Sequence, residues 1–227
     1  MEAEVRSTKD MRTQLPIDWK DMKYGVFVGL VTATIKLIGF AKPEWHVDTT
    51  DALAAFLLTL GYIIARARRQ PEKLDEWGIT TPITFPAVVT GLILLGICVG
   101  LLAACGIALS GKLSFEPSYV PRMFDYIVGA FPQQFFMCSV GLVTLAKLRP
   151  FHGLWRLPLA VGIVFSLAHF WTPAHFPGTI VPIQMAITLP AGFAVTLYFL
   201  KFRNILPLTA IHAIFYILLH NWVEMHL

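Results

Sequence analysis

The chain has 227 residues, of which 56% are hydrophobic and 14% are charged, and its mean hydropathy is +0.65. This composition excludes an ordinary soluble domain and predicts one polytopic membrane domain of the all-α class. The formal net charge of +4 does not indicate nucleic acid binding, because the basic residues lie between apolar segments rather than in one block.

Apolar segments alternate with short polar connections along most of the chain. Residues 1–23 are polar and lack the apolar core of a signal peptide, so we expect a cytoplasmic tail. A membrane domain is predicted over 24–222, followed by a short extracytoplasmic tail, 223–227. Because most segments approach the roughly 20 residues that a helix needs to cross a bilayer, we expect about seven transmembrane helices. The segments are about 24–41, 52–66, 82–109, 124–147, 154–171, 179–200 and 205–222.

The basic residues predict the orientation of these helices. When successive connections are assigned to alternate sides, 14 Lys and Arg fall on one side and three on the other. Basic residues are enriched in cytoplasmic connections, so the bias predicts a cytoplasmic N-terminus and, with seven crossings, an extracytoplasmic C-terminus. We expect the membrane to be a bacterial cytoplasmic membrane.

Several side chains in the apolar segments are unusual for a membrane interior. Cys98, Cys105 and Cys138 show no metal-binding or disulfide spacing and are predicted to be buried free thiols. Lys36 has no carboxylate on its own helix and is expected to extend toward the membrane interface.

The remaining polar residues of these segments are the candidates for a site. Polar groups at membrane depth usually face the bundle interior, where an interhelical hydrogen bond contributes roughly 1 kcal/mol. All Asp and Glu lie in connections or at segment edges, so no acid is expected inside the bundle as a general base. The candidates are Gln133, Gln134, His169, Gln184, His212, His220 and Asn221.

Two stretches of the C-terminal half carry a family resemblance. FSLAHF at 165–170 and the run PAGFAVTLYFLKFRNILPLTAIHAIFY at 190–216 resemble the CPBP family, also called the CAAX-protease and bacteriocin-processing or Abi family. The resemblance covers roughly 124–219 and implies a CPBP-like helical core. Family proteases are thought to use a glutamate and histidines to activate water for peptide hydrolysis in the membrane.

The first family motif, Glu-Glu-x-x-x-Arg, falls on Gln133, Gln134 and Cys138. Both acids are therefore amides and the arginine is a thiol. An amide has no useful basicity, so the resemblance implies a pseudoprotease that keeps the fold without the peptidase chemistry.

The second motif, Phe-x-x-x-His, falls on Phe165 and His169, and the third, His-x-x-x-Asn, falls on His212 and Tyr216. The resemblance thus selects His212 as the histidine of the last helix. Simple depth in the membrane instead selects His220, near the outer end, and the sequence leaves this choice open.

Three functions remain open at this level. The first is a subunit, scaffold or assembly factor that binds other integral membrane proteins and lipids, using small-residue faces such as Gly91, Gly96, Gly100 and Ala104. The second is an intramembrane CPBP endopeptidase with an atypical site, in which histidines act with zinc or with the thiol. The third is a haem- or chlorophyll-binding subunit. No cofactor is expected, and the possible ligands for one are His169, His212 and His220.

Overall fold

The computed structural model describes residues 19–45, 50–113, 119–151, 155–168 and 180–223. Within these ranges the chain is helical and contains no strand. The fifth helix, α5, begins as an α-helix and continues without a break through a π-helix, Phe135–Leu142, into a last turn, Val143–Ala146. The helices are α1 Trp19–Ala41, α2 Thr50–Ala67, α3 Lys73–Glu76, α4 Phe85–Ser110, α5 from Tyr119–Gln134 onward, α6 Arg156–Ala168, α7 Ile180–Phe202 and α8 Leu206–Trp222.

Among the described residues, five helices are long and apolar enough to cross a membrane. The prediction of an all-helical, polytopic membrane bundle is therefore confirmed. The helices α6 and α8 are apolar but have only 13 and 17 residues, so the count of seven crossings stays a prediction. The five long segments are Trp19–Gly39, Thr50–Ala67, Phe85–Ser110, Asp125–Ala146 and Met185–Phe202.

The bundle is built around α8, which packs against both α4 and α5. In the same bundle α1 packs on α2, α2 on α5, and α6 on α7. Glycine allows the closest of these approaches: a Cβ on Gly162 of α6 would lie 2.9 Å from the backbone oxygen of Leu189 on α7. Gly162 and Gly192 therefore bring the backbones of α6 and α7 together.

One end of the bundle is closed by two connections that bind each other. Gly78 and Arg203 both adopt left-handed backbone conformations, with φ of 71° and 54°. The amide of Ile205 donates to the oxygen of Gly78 at 3.0 Å, and the Arg203 guanidinium donates to the oxygen of Glu76 at 2.7 Å. A side chain on Gly78 would meet the Arg203 carbonyl, so the close approach requires glycine here.

Five charged residues near this end form a buried charge network: Asp21, Arg66, Lys73, Glu76 and Lys147. The carboxylate of Asp21 on α1 accepts from Arg66 at 3.3 Å and from Lys73 at 3.1 Å. Glu76 in turn accepts from Lys73 at 3.0 Å and from Lys147 at 3.4 Å. The network joins α1, α2 and α3 to the end of α5.

The charge network corrects two sequence expectations. Helix α1 begins at Trp19 rather than at residue 24, so Asp21 belongs to a helix and not to a polar tail. The expectation that no acid lies inside the bundle is wrong for Asp21 and Asp51, whose exposed fractions are 5% and 9%. Cations on neighbouring helices make this burial tolerable, and sequence position alone does not show them.

Lys36 and two of the cysteines have surroundings that the sequence did not predict. Lys36, which was expected to extend toward the membrane interface, pairs at 3.4 Å with Asp51 in the first turn of the neighbouring helix α2. All three cysteines are free thiols, but only Cys138 is buried, whereas Cys98 is partly buried and Cys105 is exposed.

Candidate functional site

An amide and an imidazole meet at the centre of the bundle. Gln134 ends the α-helical part of α5 and is 1% exposed. Its Nε2 lies 2.7 Å from Nδ1 of His212 on α8, and its Oε1 accepts a hydrogen bond from the Cys138 thiol at 3.6 Å. The amide nitrogen donates and Nδ1 accepts, so the ring proton of His212 lies on Nε2.

Aromatic rings hold the imidazole in this position. The Tyr216 ring, one turn along α8, stacks on His212 with centroids 5.1 Å apart. The Phe165 ring of α6 meets the imidazole edge-on at 6.1 Å, and Tyr126 of α5 stacks on Tyr216 at 6.2 Å. The imidazole is therefore fixed by an amide on α5 and by rings from two helices, α6 and α8.

The amide–imidazole pair borders a cavity of about 80 Å³ between α4, α5, α6, α7 and α8. Its surface is almost entirely apolar, with the amide and the imidazole among its few polar groups. The lining residues are Leu94, Cys98, Gln134, Phe165, Thr188, Ala191, Ala194, Val195, Leu208, Ile211, His212, Phe215, Tyr216 and Leu219.

The two adjacent glutamines have different surroundings. Gln134 is buried at the cavity, whereas Gln133 is exposed, and no hydrogen bond of its side chain is recorded within the described residues. Successive residues of a helix point about 100° apart, and the phase of α5 turns Gln134 toward the cavity and Gln133 away from it. The sequence predicted both positions together and could not distinguish them.

Sequence reasoning missed the π-helix that follows Gln134. It spans Phe135–Leu142 and contains Cys138. Its Ser139 donates to the oxygen of Trp77 at 2.5 Å, and the Trp77 ring meets Phe135 edge-on at 5.1 Å. The widened turn thereby connects the site to the α3–α4 connection and to the charge network. π-Helices are frequent at functional sites, but their sequences carry no simple signature.

The other predicted site residues divide into three groups. Phe165, His212 and Tyr216 join Gln134 at the cavity, and Cys138 lies behind Gln134, to which its thiol donates. His220 lies about two turns beyond His212 on α8 and does not line the cavity, and Asn221 donates to Ile217 of its own helix at 2.8 Å. His169 and the side chain of Gln184 lie outside the described residues.

The pair has limited acid–base capacity as it stands. The Nδ1 lone pair of His212 is engaged by the amide, and Nε2 carries the proton, so the ring presents no free basic nitrogen. Within the described residues no group of three His, Cys, Asp or Glu side chains is placed to hold a metal ion. The arrangement suits a fixed, neutral polar contact between helices.

The chain was compared with protein-family models, curated proteins and solved structures. No protein-family model, curated protein or solved structure matches it.

Proposed function

We propose that this chain is a multi-pass membrane protein with a CPBP-like core that has lost peptidase activity. In this proposal it acts as a subunit, scaffold or assembly factor in a complex of membrane proteins. The single observation that carries the proposal is the hydrogen bond between Gln134 and His212. A neutral amide stands where the family motif has a catalytic glutamate, and it occupies the basic nitrogen of the histidine.

The surroundings of the pair support this proposal. Cys138 stands where the motif has arginine, and it is fully buried against Gln134. Tyr216 stands where the motif has asparagine, and its ring covers the imidazole. The three substitutions together leave a packed, uncharged contact where hydrolysis needs a carboxylate and an activated water.

The outward face of α4 supports a role in assembly. Gly91 and Gly106 face other parts of the same chain, whereas Gly96, Gly100 and Ala104 are exposed at intervals of four residues. A Cβ at Gly96 or Gly100 would meet nothing within 4 Å. Such small-residue faces allow helices of two chains to pack closely.

The assembly role is tested by purification of the tagged protein from its native membrane in a mild detergent. We expect a stoichiometric membrane-protein partner, and we expect Gly100→Leu to reduce its recovery several-fold because the larger side chain separates the helices. The matched control is Gly61→Leu on α2, where the added side chain also meets open space. A monomer under all mild conditions, or equal losses for the two variants, contradicts the proposal.

The loss of peptidase activity is tested separately in proteoliposomes with peptide substrates of the CAAX type. We expect no cleavage by the wild-type protein. We also expect none after Gln133→Glu, Gln134→Glu and Cys138→Arg together, because Tyr216 still covers the imidazole. Cleavage by the wild-type protein that is abolished by His212→Ala would favour the endopeptidase alternative.

A further inference from the structure

The two ends of the bundle carry different exposed charges. At the end of the bundle that holds the charge network, the described residues include six exposed cations and two exposed carboxylates, Glu72 and Asp75. The cations are Lys20, Lys23, Arg68, Arg69, Arg156 and Lys201. At the other end, the exposed charges of the described residues are two cations, Lys42 and Lys112, and two carboxylates, Glu44 and Asp125. Among the described residues, only the first end has an excess of exposed positive charge.

Four of these cations lie side by side and define a basic rim: Lys20, Lys23, Arg68 and Arg69. The first two flank Asp21 on α1, and the other two follow Arg66 at the end of α2. The ion pair between Asp21 and Arg66, at 3.3 Å, brings the two helix ends together. The basic rim is thus a continuous feature of two adjacent helix ends.

Within the described residues, the buried carboxylates near the rim do not pair with Lys23, Arg68 or Arg69. Asp21 and Glu76 are held by the buried cations of the charge network. Lys23, Arg68 and Arg69 form no ion pair with any residue that the structure describes. The carboxylates are therefore occupied inside the bundle while these cations point out of it.

An exposed tryptophan lies beside the rim, at the start of a candidate membrane span. Trp19 begins α1 next to Lys20 and is 55% exposed. Exposed tryptophan at the end of a membrane helix is typical of the membrane–water interface. The apolar part of α1 extends from this point for 21 residues.

We propose that the basic rim is a binding site for the headgroups of anionic phospholipids. Each cation close to an anionic membrane surface contributes about a five-fold gain in affinity. The excess of positive charge at one end and the interfacial tryptophan carry this inference. It does not depend on the proposed loss of peptidase activity or on the proposed role in assembly.

The test is native mass spectrometry of the purified full-length protein titrated with phosphatidylglycerol or phosphatidylcholine of the same chain length. We expect tighter binding of phosphatidylglycerol, and the double variant Arg68→Gln/Arg69→Gln should weaken it roughly 25-fold, about five-fold for each charge. Binding of phosphatidylcholine should not change. The matched control, Lys42→Gln/Lys112→Gln, removes the same charge from the opposite end and should change affinity less than about two-fold.

Three results would overturn the proposal: equal affinity for the two lipids, equal losses in the two double variants, or full displacement of the lipid by inorganic phosphate. The last would indicate a general phosphate site rather than a lipid surface. If Arg68→Gln/Arg69→Gln does not fold, Lys23→Gln on α1 tests the same rim. About a five-fold loss is expected there, and no loss would overturn the proposal.

Discussion

At the scale of single residues, the informative contrast is between Gln134 and Gln133. Gln134→Leu removes the hydrogen bond to His212 and leaves a ring nitrogen buried without that partner. We expect the free energy of unfolding to fall by about 1–2 kcal/mol, since interhelical hydrogen bonds in membranes have modest strength. The measurement is unfolding of the purified protein by titration with a denaturing detergent.

The neighbouring glutamine provides the control for this prediction. Gln133→Leu makes the same chemical change one residue earlier, at an exposed position without a recorded side-chain hydrogen bond. We expect its unfolding free energy to stay within about 0.5 kcal/mol of the wild type. Equal destabilisation by the two variants would show that the amide–imidazole contact contributes nothing particular.

Much of the candidate site could be predicted from the sequence, because motif order and spacing carry information about contacts. The resemblance selected five residues that lie together in the structure. Four of them line one cavity, Gln134, Phe165, His212 and Tyr216, and the fifth, Cys138, donates to Gln134 from behind it. Motif spacing also selected His212, whereas simple depth in the membrane selected His220. The direction of each glutamine could not be predicted, because it depends on the phase of α5.

At the scale of secondary-structure elements, the charge network determines how α1, α2 and α3 are held together. Asp21→Asn removes the carboxylate that binds Arg66 and Lys73 and leaves an uncompensated positive charge in a buried position. Removing one partner of a buried ion pair typically costs about 3–5 kcal/mol, so we expect the unfolding free energy to fall by about 3 kcal/mol. The same denaturing-detergent titration measures it.

Two further variants separate this effect from a general loss of negative charge. Glu72→Gln neutralises an exposed acid just before α3 and should have little effect. Adding Lys73→Met to Asp21→Asn removes the excess cation and should recover part of the stability. If Glu72→Gln costs as much as Asp21→Asn, or the double variant recovers nothing, the network is not a specific contact.

The pH dependence of this network follows from Lys73. Burial acts to lower the pKa of Lys73, but its hydrogen bond to Glu76 and the charges of Asp21 and Glu76 outweigh burial and raise it. A raised pKa means that the stabilising charge is fully present at neutral pH and is lost only as the pH rises through the raised value. We therefore expect the loss of unfolding free energy caused by Asp21→Asn to be constant across the neutral pH range. The loss should become smaller in strong alkali, where Lys73 is no longer charged.

The elements themselves show where prediction from sequence succeeds and fails. Apolar runs located the long helices well, because crossing a membrane requires a long uninterrupted stretch. Helix α1 begins five residues earlier than the predicted apolar segment. Asp21 made this first turn look like part of a polar tail, because the sequence does not show the cations that pair with it. The π-helix and α3 were missed because tertiary contacts, such as Ser139 with Trp77, stabilise them rather than local propensity.

At the scale of the whole molecule, contacts between helix ends agree with the predicted alternation of connections between the two ends of the bundle. The predicted tail and two predicted connections meet at one end, through contacts of Asp21, Arg66, Lys73, Glu76 and Lys147. Lys36 and Asp51 meet in a different ion pair, at the opposite ends of α1 and α2. These contacts fix which ends lie together, while the side of the membrane and the crossings by α6 and α8 stay predictions.

Reporter fusions test those crossings directly. Alkaline phosphatase is active only when it is exported, so we expect activity for a fusion after Lys112 and none for a fusion after Gln70. A fusion after His175 tests α6, and one at the C-terminus tests α8; both should be active if all seven segments cross. Activity after Gln70 would reverse the orientation predicted from the basic residues. Inactive fusions at both His175 and the C-terminus would mean that α6, with its 13 residues, enters the bundle without crossing the membrane, whereas inactivity at the C-terminus alone would mean the same of α8.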